Sequence, residues 1–528
     1  MFRRAFDYVI VGAGSAGAVL AARLSEDPRV RVLLLEAGGP DRDRRVHVPA
    51  ASSALYKTKY DWNYETEPQP FLKGRRLYWP RGKTLGGTSA INRMVYIRGH
   101  RHDYDGWAEA GCRGWSWEEV LPSFKKAEDQ ARGASAFHAT GGPLHVSDLP
   151  APMPLSLAFV RAANECGYPF NPDFNAAAQL GFGLFQATLK RGVRQSTASA
   201  YLVPALKRKN LTVLTGARAL GLSFEGGRCV GADYAVDGGR PRFARAKREV
   251  ILCGGAVNSP QLLLLSGVGP ADQLREHGIP VVRDLPGVGQ NLQDHVTAYV
   301  NYHVTGAETL DGLDSPKNLL NYALLRKGPL ASHLVEAGGF VKTNADLPAP
   351  DLQFHFVPGQ LYDHGLTRPA GHGLCILPAL LQPESRGEVR LRSPDPLEAP
   401  VIDPHYLEAR ADADVLARGV KLARQIASAT SLSRVTGAEA TPGRNVSGKA
   451  GLRAWLRASA ESIYHPVGTC SMGVGELAVV DSELRVHGLT GLRIADASIM
   501  PRIVRGNTNA ATIMIGEKAA DLVQRSHG

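Results

Sequence analysis

The sequence predicts a Rossmann-like α/β nucleotide-binding domain joined to a second α+β domain that contains an antiparallel sheet. Three observations carry this reading. A glycine-rich strand–turn–helix–strand unit opens the chain at residues 8–36. Two more strand-to-helix units recur far downstream, near 248–265 and 492–523. Turn-bounded segments with alternating patterns lie between them.

In the first unit, Tyr8–Val11 is an apolar run fit for a buried strand, and Gly12, Gly14 and Gly17 follow at G-x-G-x-x-G spacing. Gly12 permits the tight turn, Gly14 lets the backbone approach a pyrophosphate, and Gly17 lets helix pack close on strand. The helix bearing Val19, Leu20 and Leu24 offers its free N–H groups to phosphates. Val30–Leu35 is the second strand. Glu36 ends it, nineteen residues beyond Gly17, placed to accept hydrogen bonds from a ribose. A bare glycine motif is weak evidence; strand, helix, strand and terminal acid in this order are much stronger.

The other units read similarly. Arg248–Cys253 is a strand running into Gly254-Gly255-Ala256 and a helix through Leu262–Leu265. Leu492–Asp496 is a strand ending in an acid, and Thr512–Val523 an amphipathic helix. Leu211–Tyr234 reads as hairpin strands around Glu225-Gly226-Gly227, while Asp351–Phe356 and Glu388–Leu391 alternate as half-buried strands do. These segments point to the antiparallel sheet of the second domain. The expected division is 1–150, 206–299 and 461–528 for the nucleotide domain, with 151–205 and 300–460 for the other.

The 528 residues suffice for two domains and a large core. Net charge is +11, from 61 basic and 50 acidic residues. No basic stripe interleaves with aromatics, so no nucleic-acid partner is expected; the basic balance admits peripheral contact with an acidic inner-membrane surface. Six scattered cysteines without a C-x-x-C read as reduced thiols, with no metal site. The first strand begins by residue 7, leaving no room for a signal peptide, and no apolar run reaches transmembrane length. A cytoplasmic protein is expected, with the sequons at Asn210 and Asn445 due to chance.

Two segments are more specific than the glycine loop. Gly82–Asp105 reads GKTLGGTSAINRMVYIRGHRHDYD, and Gly255–Gly269 reads GAVNSPQLLLLSGVG. They resemble the signature patterns of the glucose–methanol–choline (GMC) family of FAD oxidoreductases. His465-Pro-Val-Gly-Thr-Cys and Gly506-Asn-Thr-Asn resemble that family's active-site segments. The resemblance runs from Phe6 to Gln524 and is closest to the bacterial choline dehydrogenase and aliphatic alcohol dehydrogenase branch. It implies an FAD-binding first domain and a substrate-binding second one. Gly12, Gly14, Ser15, Ala16, Gly17, Glu36 and Ala37 would hold the nucleotide. Gly87, Thr88, Asn92, Met94 and Val95 would contact the flavin. By the same resemblance Trp62, Ala219, Tyr464, Asp496, Ala497 and Ala510 touch FAD. Some choline oxidases attach FAD through a His in the segment where this chain has Ile91. Isoleucine cannot form that bond, so the FAD is expected to be non-covalent.

Alcohol oxidation requires removal of a hydroxyl proton and a hydride. A flavin takes the hydride at N5, because no side chain can. His465 is the candidate base, since imidazole titrates near neutrality. Asn509 is read as the family's second catalytic position, filled by His or Asn. An amide orients a hydroxyl but takes no proton. His355 matches a pocket position, and Glu336 matches an acid of choline dehydrogenases that would face a cationic substrate. Around Glu336, however, His333-Leu334-Val335 stands where choline enzymes tend to show Asn-His-Phe. His100, His102 and Asp103 read as a polar loop, and His295 and His487 as structural. The expected reaction is FAD-dependent oxidation of a primary alcohol to the aldehyde, with oxygen or a quinone as electron acceptor. The alternatives are a choline dehydrogenase or oxidase, and a redox-silent hydroxynitrile lyase on the same fold. A light-driven fatty acid decarboxylase is disfavoured by Leu381 and by the presence of His465. A non-catalytic flavin sensor is disfavoured by His465 and Asn509.

Overall fold

A computed structural model describes residues 5–367, 369 and 371–527. Its first sheet has seven strands. Leu211–Leu214, Val32–Leu35 and Phe6–Val11 lie side by side and parallel, followed by the eleven-residue strand Arg242–Leu252. The inner half of that strand lies between Phe6–Val11 and the parallel strand Leu492–Ile494. Its outer half carries the antiparallel hairpin Ala217–Glu225 and Arg228–Val236, which turns at Gly226-Gly227. The hairpin read from the sequence thus extends the nucleotide sheet rather than the second one. Val9, Ile10, Leu33, Leu34, Val250 and Ile251 are wholly or almost wholly buried, as befits parallel strands covered on both faces.

Two helices set the glycine turn. Gly17–Leu24 follows it directly, and Asn509–His527 packs across that helix. A Cβ at Gly516 would lie 3.0 Å from the carbonyl oxygen of Ala16, so the two backbones approach closely. Arg23 closes the contact with a two-pronged bond to Glu517, Nε and Nη2 each at 2.8 Å. The middle of the last helix is thereby held along the first.

The second sheet is antiparallel along its main path. Its order is Thr436–Thr441, Val300–Val304, Gly373–Leu380, Leu352–Val357, Ala337–Val341 and Gly181–Leu184. Leu352, Phe354 and Phe356 share a hydrophobic cluster with Phe159 of helix Pro154–Glu165 and with Leu416 and Val420 of helix Arg410–Ala427. Side chains alternate across a strand, so Gln353, His355 and Val357 take the opposite face. That face is covered too: the strand is buried along its whole length, not half-buried as its alternation implied. Glu388–Arg390 lies outside this sheet, in a separate two-stranded ladder with Val401–Asp403.

Val296–Thr297 pairs antiparallel with Glu461–Ser462, and both strands lie outside the expected 300–460 segment. This short ladder joins two stretches far apart in sequence. The His100, His102, Asp103 group forms a helix cap instead of a loop: His100 Nδ1 accepts from His102 N–H, and Asp103 Oδ2 accepts from His100 N–H at 2.8 Å. Among the described residues no helix is long and apolar enough to cross a membrane, and all six cysteines are free thiols.

The strand–helix junction at Gly17 has no slack, because a Cβ there would lie 1.9 Å from the carbonyl oxygen of Gly12. Gly17→Ala should destabilise the protein by about 1–3 kcal/mol, the usual range for overpacking. Denaturant unfolding checks this; unchanged stability would mean the junction yields freely.

Candidate active site

The two sheets border a cavity of about 450 Å³. From the nucleotide side it is lined by Gly12, Gly14, Ser15, Ala16, Glu36, Ala37, Trp62, Gly87, Thr88, Asn92, Met94, Val95, Ala219, Asp496 and Ala497. Ile91 lies on the same wall. Gly17 and Ala510 do not reach it. Gly17 packs against Gly12, and Ala510 is buried inside the last helix.

Glu36 accepts the backbone N–H of Ala13 at 2.9 Å and that of Gly38 at 2.8 Å. Burial nevertheless raises its pKa to about 7. Asp496 caps the Gly255–Leu265 helix, accepting from Gly255 N–H at 2.8 Å and Ser259 Oγ at 2.6 Å. Gly87 sits at φ +51°, and a Cβ on it would meet Gly14 Cα at 2.7 Å. Two glycine turns therefore abut on the cavity wall. Trp62 stacks on Tyr64 at 5.7 Å, with Lys83 and Arg218 over its ring. Asn92 Oδ1 accepts from Met94 N–H and Arg194 Nη1, which holds Met94 at φ +59°.

His465 follows Tyr464, a residue in the left-handed region at φ +67°. Such backbone persists where surrounding bonds over-determine it. Here Ser462 Oγ accepts from Tyr464 N–H at 2.8 Å, Asp294 Oδ1 accepts from His465 N–H at 2.7 Å, and Arg81 donates to the Tyr464 carbonyl. The ring of His465 then meets His295, Nδ1 to Nδ1, at 2.9 Å.

The bonds fix the tautomers. His295 Nε2 lies 3.1 Å from the carbonyl of Leu381, which can only accept, so Nε2 carries the proton. Burial holds the pKa of His295 near 3, so the ring is neutral and its Nδ1 is a lone pair. His465 Nδ1 must therefore donate to it. His465 is itself held well below the ordinary imidazole range, first by burial and then by its histidine neighbours. Its Nε2 carries the lone pair and accepts from Asn507 Nδ2 at 3.2 Å. Asn507 Oδ1 accepts from Gln353 Nε2 at 3.2 Å, which orients the amide. His355, pushed to about 4 by burial, lies against Asn507 and lines the cavity with an unbonded Nδ1.

Two expectations need correction. The amide beside His465 belongs to Asn507, not Asn509. Asn509 begins the last helix, lines the cavity, and accepts from Ser15 Oγ at 2.7 Å, tying that helix to the glycine turn. Glu336 does not line the cavity. Its carboxylate accepts from Met153 N–H and Ser156 Oγ, both at 2.8 Å, and from Ser332 Oγ at 2.7 Å. Sequence reasoning missed Asn507, although it lay in the motif, and took His295 as structural. The pairing of 296–297 with 461–462 brings His295 to His465, and nothing local announces it.

The GMC oxidoreductase family profile matches residues 6–297 and 383–516. The chain is 46% identical to an alcohol dehydrogenase (acceptor) of Pseudomonas putida, over 98% of this chain and 96% of that one. It is equally identical to the mitochondrial choline dehydrogenase of Mus musculus, over 98% and 89% respectively. The solved structure of pyridoxine 4-oxidase from Mesorbium loti superposes with a TM-score of 0.91 at 34% identity, covering 99% of each chain. The glycine cradle and the buried acid that ends the second strand fit the FAD that this family binds.

Glu36 gives a two-sided prediction. Its folded pKa of about 7 lies above the ordinary 4.5. The stability it contributes is full below pH 4.5 and lost as pH rises through 7. Glu36→Gln apoprotein should therefore melt above the parent at pH 8. It should also bind FAD more weakly, by about 1–3 kcal/mol for lost ribose hydrogen bonds. Melting curves and FAD titration check both; unchanged FAD affinity would remove Glu36 from the ribose.

Proposed function

The chain belongs to the GMC oxidoreductase family, and on that premise we propose that it oxidises a primary alcohol to the aldehyde with His465 as the base. The observation that carries this is the His465 Nε2 lone pair, presented to the cavity by the Leu381–His295–His465 chain. When bound, FAD supplies the hydride acceptor at N5. His465 Nε2 takes the hydroxyl proton. The low pKa of the buried ring keeps it in the accepting form at neutral pH. Asn507 Nδ2, which donates to that lone pair in the free site, turns to the substrate oxygen and orients it when the alcohol enters between them. His355 forms the adjoining wall. Asp294 fixes the backbone from which His465 projects. Ile91 on the cofactor wall has no atom to bond a flavin, which supports non-covalent FAD. Electrons leave to oxygen or a quinone, and anaerobic reduction followed by reoxidation with each identifies which.

Choline is the second reading, favoured by the likeness to choline dehydrogenases. It is disfavoured by Glu336, whose carboxylate is spent on three donors away from the cavity. Neutral primary alcohols should exceed choline in kcat/KM. A value for choline tenfold above every neutral alcohol would reverse this. A redox-silent lyase would leave bound flavin oxidised under anaerobic alcohol, whereas the proposed enzyme bleaches.

The pH profile tests the base. Wild-type flavin reduction should fall as pH drops through the depressed pKa of His465, below the ordinary imidazole range. His465→Ala should slow reduction by roughly 10²-fold or more and abolish that acid limb. Asn507→Ala should slow it while keeping the limb. Asn509→Ala should keep the limb and loosen FAD, by freeing Ser15. Anaerobic stopped-flow across pH gives all four profiles. An acid limb unchanged in His465→Ala would transfer the role to His355.

A further inference from the structure

We propose that the substrate is an alcohol carrying a carboxylate at the end remote from its hydroxyl, and that Arg93 binds this carboxylate. The proposal rests on the alcohol-oxidation reading and names its substrate class.

Arg93 lines the cavity. Its Nη1 is buried without a hydrogen-bond partner, and among the described residues its guanidinium makes no ion pair. The other arginines buried near the site spend their donors on protein. Arg81 donates to the carbonyls of Pro80 and Tyr464. Arg194 donates to Val46 O, Asn92 Oδ1 and Ser52 Oγ. Arg505 pairs with Asp103. A cationic donor taken from water without a partner is costly, so Arg93 Nη1 is a group left waiting for an acceptor.

The surroundings leave room for one. Arg93 Nη2 lies 3.5 Å from where a Cβ on Gly365 would stand, beside Leu361 and Ser53. Gly365 follows His364, whose ring packs on Tyr464 at 5.5 Å, and Tyr464 precedes the base. The guanidinium thus stands on a wall continuous with His465. Leu334, Val335, Val357, Leu361 and Leu377 also line the cavity and suit an aliphatic chain.

No described acid in the cavity neutralises Arg93. Asp311 accepts from Thr309 Oγ1 at 2.9 Å and lies 3.4 Å from His372. Glu36 and Asp496 hold backbone donors on the nucleotide side, and Glu336 points elsewhere. A single planar guanidinium matches the two oxygens of one carboxylate. The remaining lining arginine, Arg218, donates to Pro396 O and stacks on Trp62. A phosphate would lack the second cation it calls for.

The test uses FAD-loaded enzyme. Anaerobic kcat/KM for flavin reduction is measured for ω-hydroxyalkanoates of graded length and for their methyl esters. Binding of unreactive alkanoates and the matching alkanamides is read from the flavin difference spectrum. The best acid should exceed its ester by roughly 10- to 100-fold, the worth of a charged hydrogen bond. Arg93→Gln should bring that ratio near one, and Arg93→Lys should keep part of it. Equal use of acid and ester by the wild type overturns the proposal, as does a preference that survives in Arg93→Gln. Loss of FAD from Arg93→Gln and Arg93→Lys also overturns it and assigns Arg93 to the cofactor. Alkanoate binding that depends on Arg93, without bleaching by any alcohol, would keep the anion site and sink the oxidation reading. Bleaching by alcohols without any Arg93-dependent preference would do the reverse.

Discussion

Asp294 is a buried carboxylate on which three donors from two distant segments converge. Tyr406 and Ser462 donate to one of its oxygens, and the backbone N–H of His465 donates to the other. Tyr406 in turn accepts from Trp79 Nε1 at 3.1 Å. Burial alone would drive such an acid towards its neutral form, and these donors oppose that shift. Their geometry fixes the strained turn at Tyr464, and the turn fixes where His465 points. The short ladder of 296–297 with 461–462 begins one residue after His295 and ends two before Tyr464, so the same tie sets the distance between the two imidazoles.

The histidine pair works because it is kept neutral. In water an imidazole near its ordinary pKa would exist as a mixture of charged and neutral forms. Within this site burial removes the charged form of His295, and the Leu381 carbonyl removes one of its two neutral forms. The choice propagates through a single hydrogen bond to His465. A main-chain carbonyl more than eighty residues from His465 thus decides which of its nitrogens carries the proton. His355 supplies a third neutral ring, delivered by strand alternation: the same strand gives Leu352, Phe354 and Phe356 to the core.

Charge is apportioned unevenly around the cavity. On the nucleotide side both acids, Glu36 and Asp496, are engaged by backbone amides that order the turns around them. On the other side Glu336 is drawn into the second domain by Met153, Ser156 and Ser332, and among the described residues Arg93 Nη1 is left without an acceptor. A buried acid engaged by its own donors is accounted for within the fold; a buried guanidinium nitrogen with no acceptor is the better sign of a ligand.

The nucleotide domain was legible because its rules are local. The Gly12–Gly17 spacing, the acid at the end of the second strand and the strand-to-helix units at 248–265 and 492–523 each act within about thirty residues, and the structure assembles them into one sheet. The motif at 465–470 likewise marked the histidine that lines the cavity. What sequence could not decide was direction and distant pairing. Asn507 and Asn509 stand two residues apart, yet one meets His465 and the other, opening a helix, turns to Ser15. The alternation that marked the Leu211–Tyr234 hairpin could not say which sheet it joins. Glu336 reads as an available acid until residues from 153, 156 and 332 close on it. His295 reads as a core histidine until a strand pairing across some 170 residues sets it beside His465. Residue type and spacing determine which groups a chain owns; only the packed structure, by deciding which donors reach which acceptors, determines which of them remain free to act.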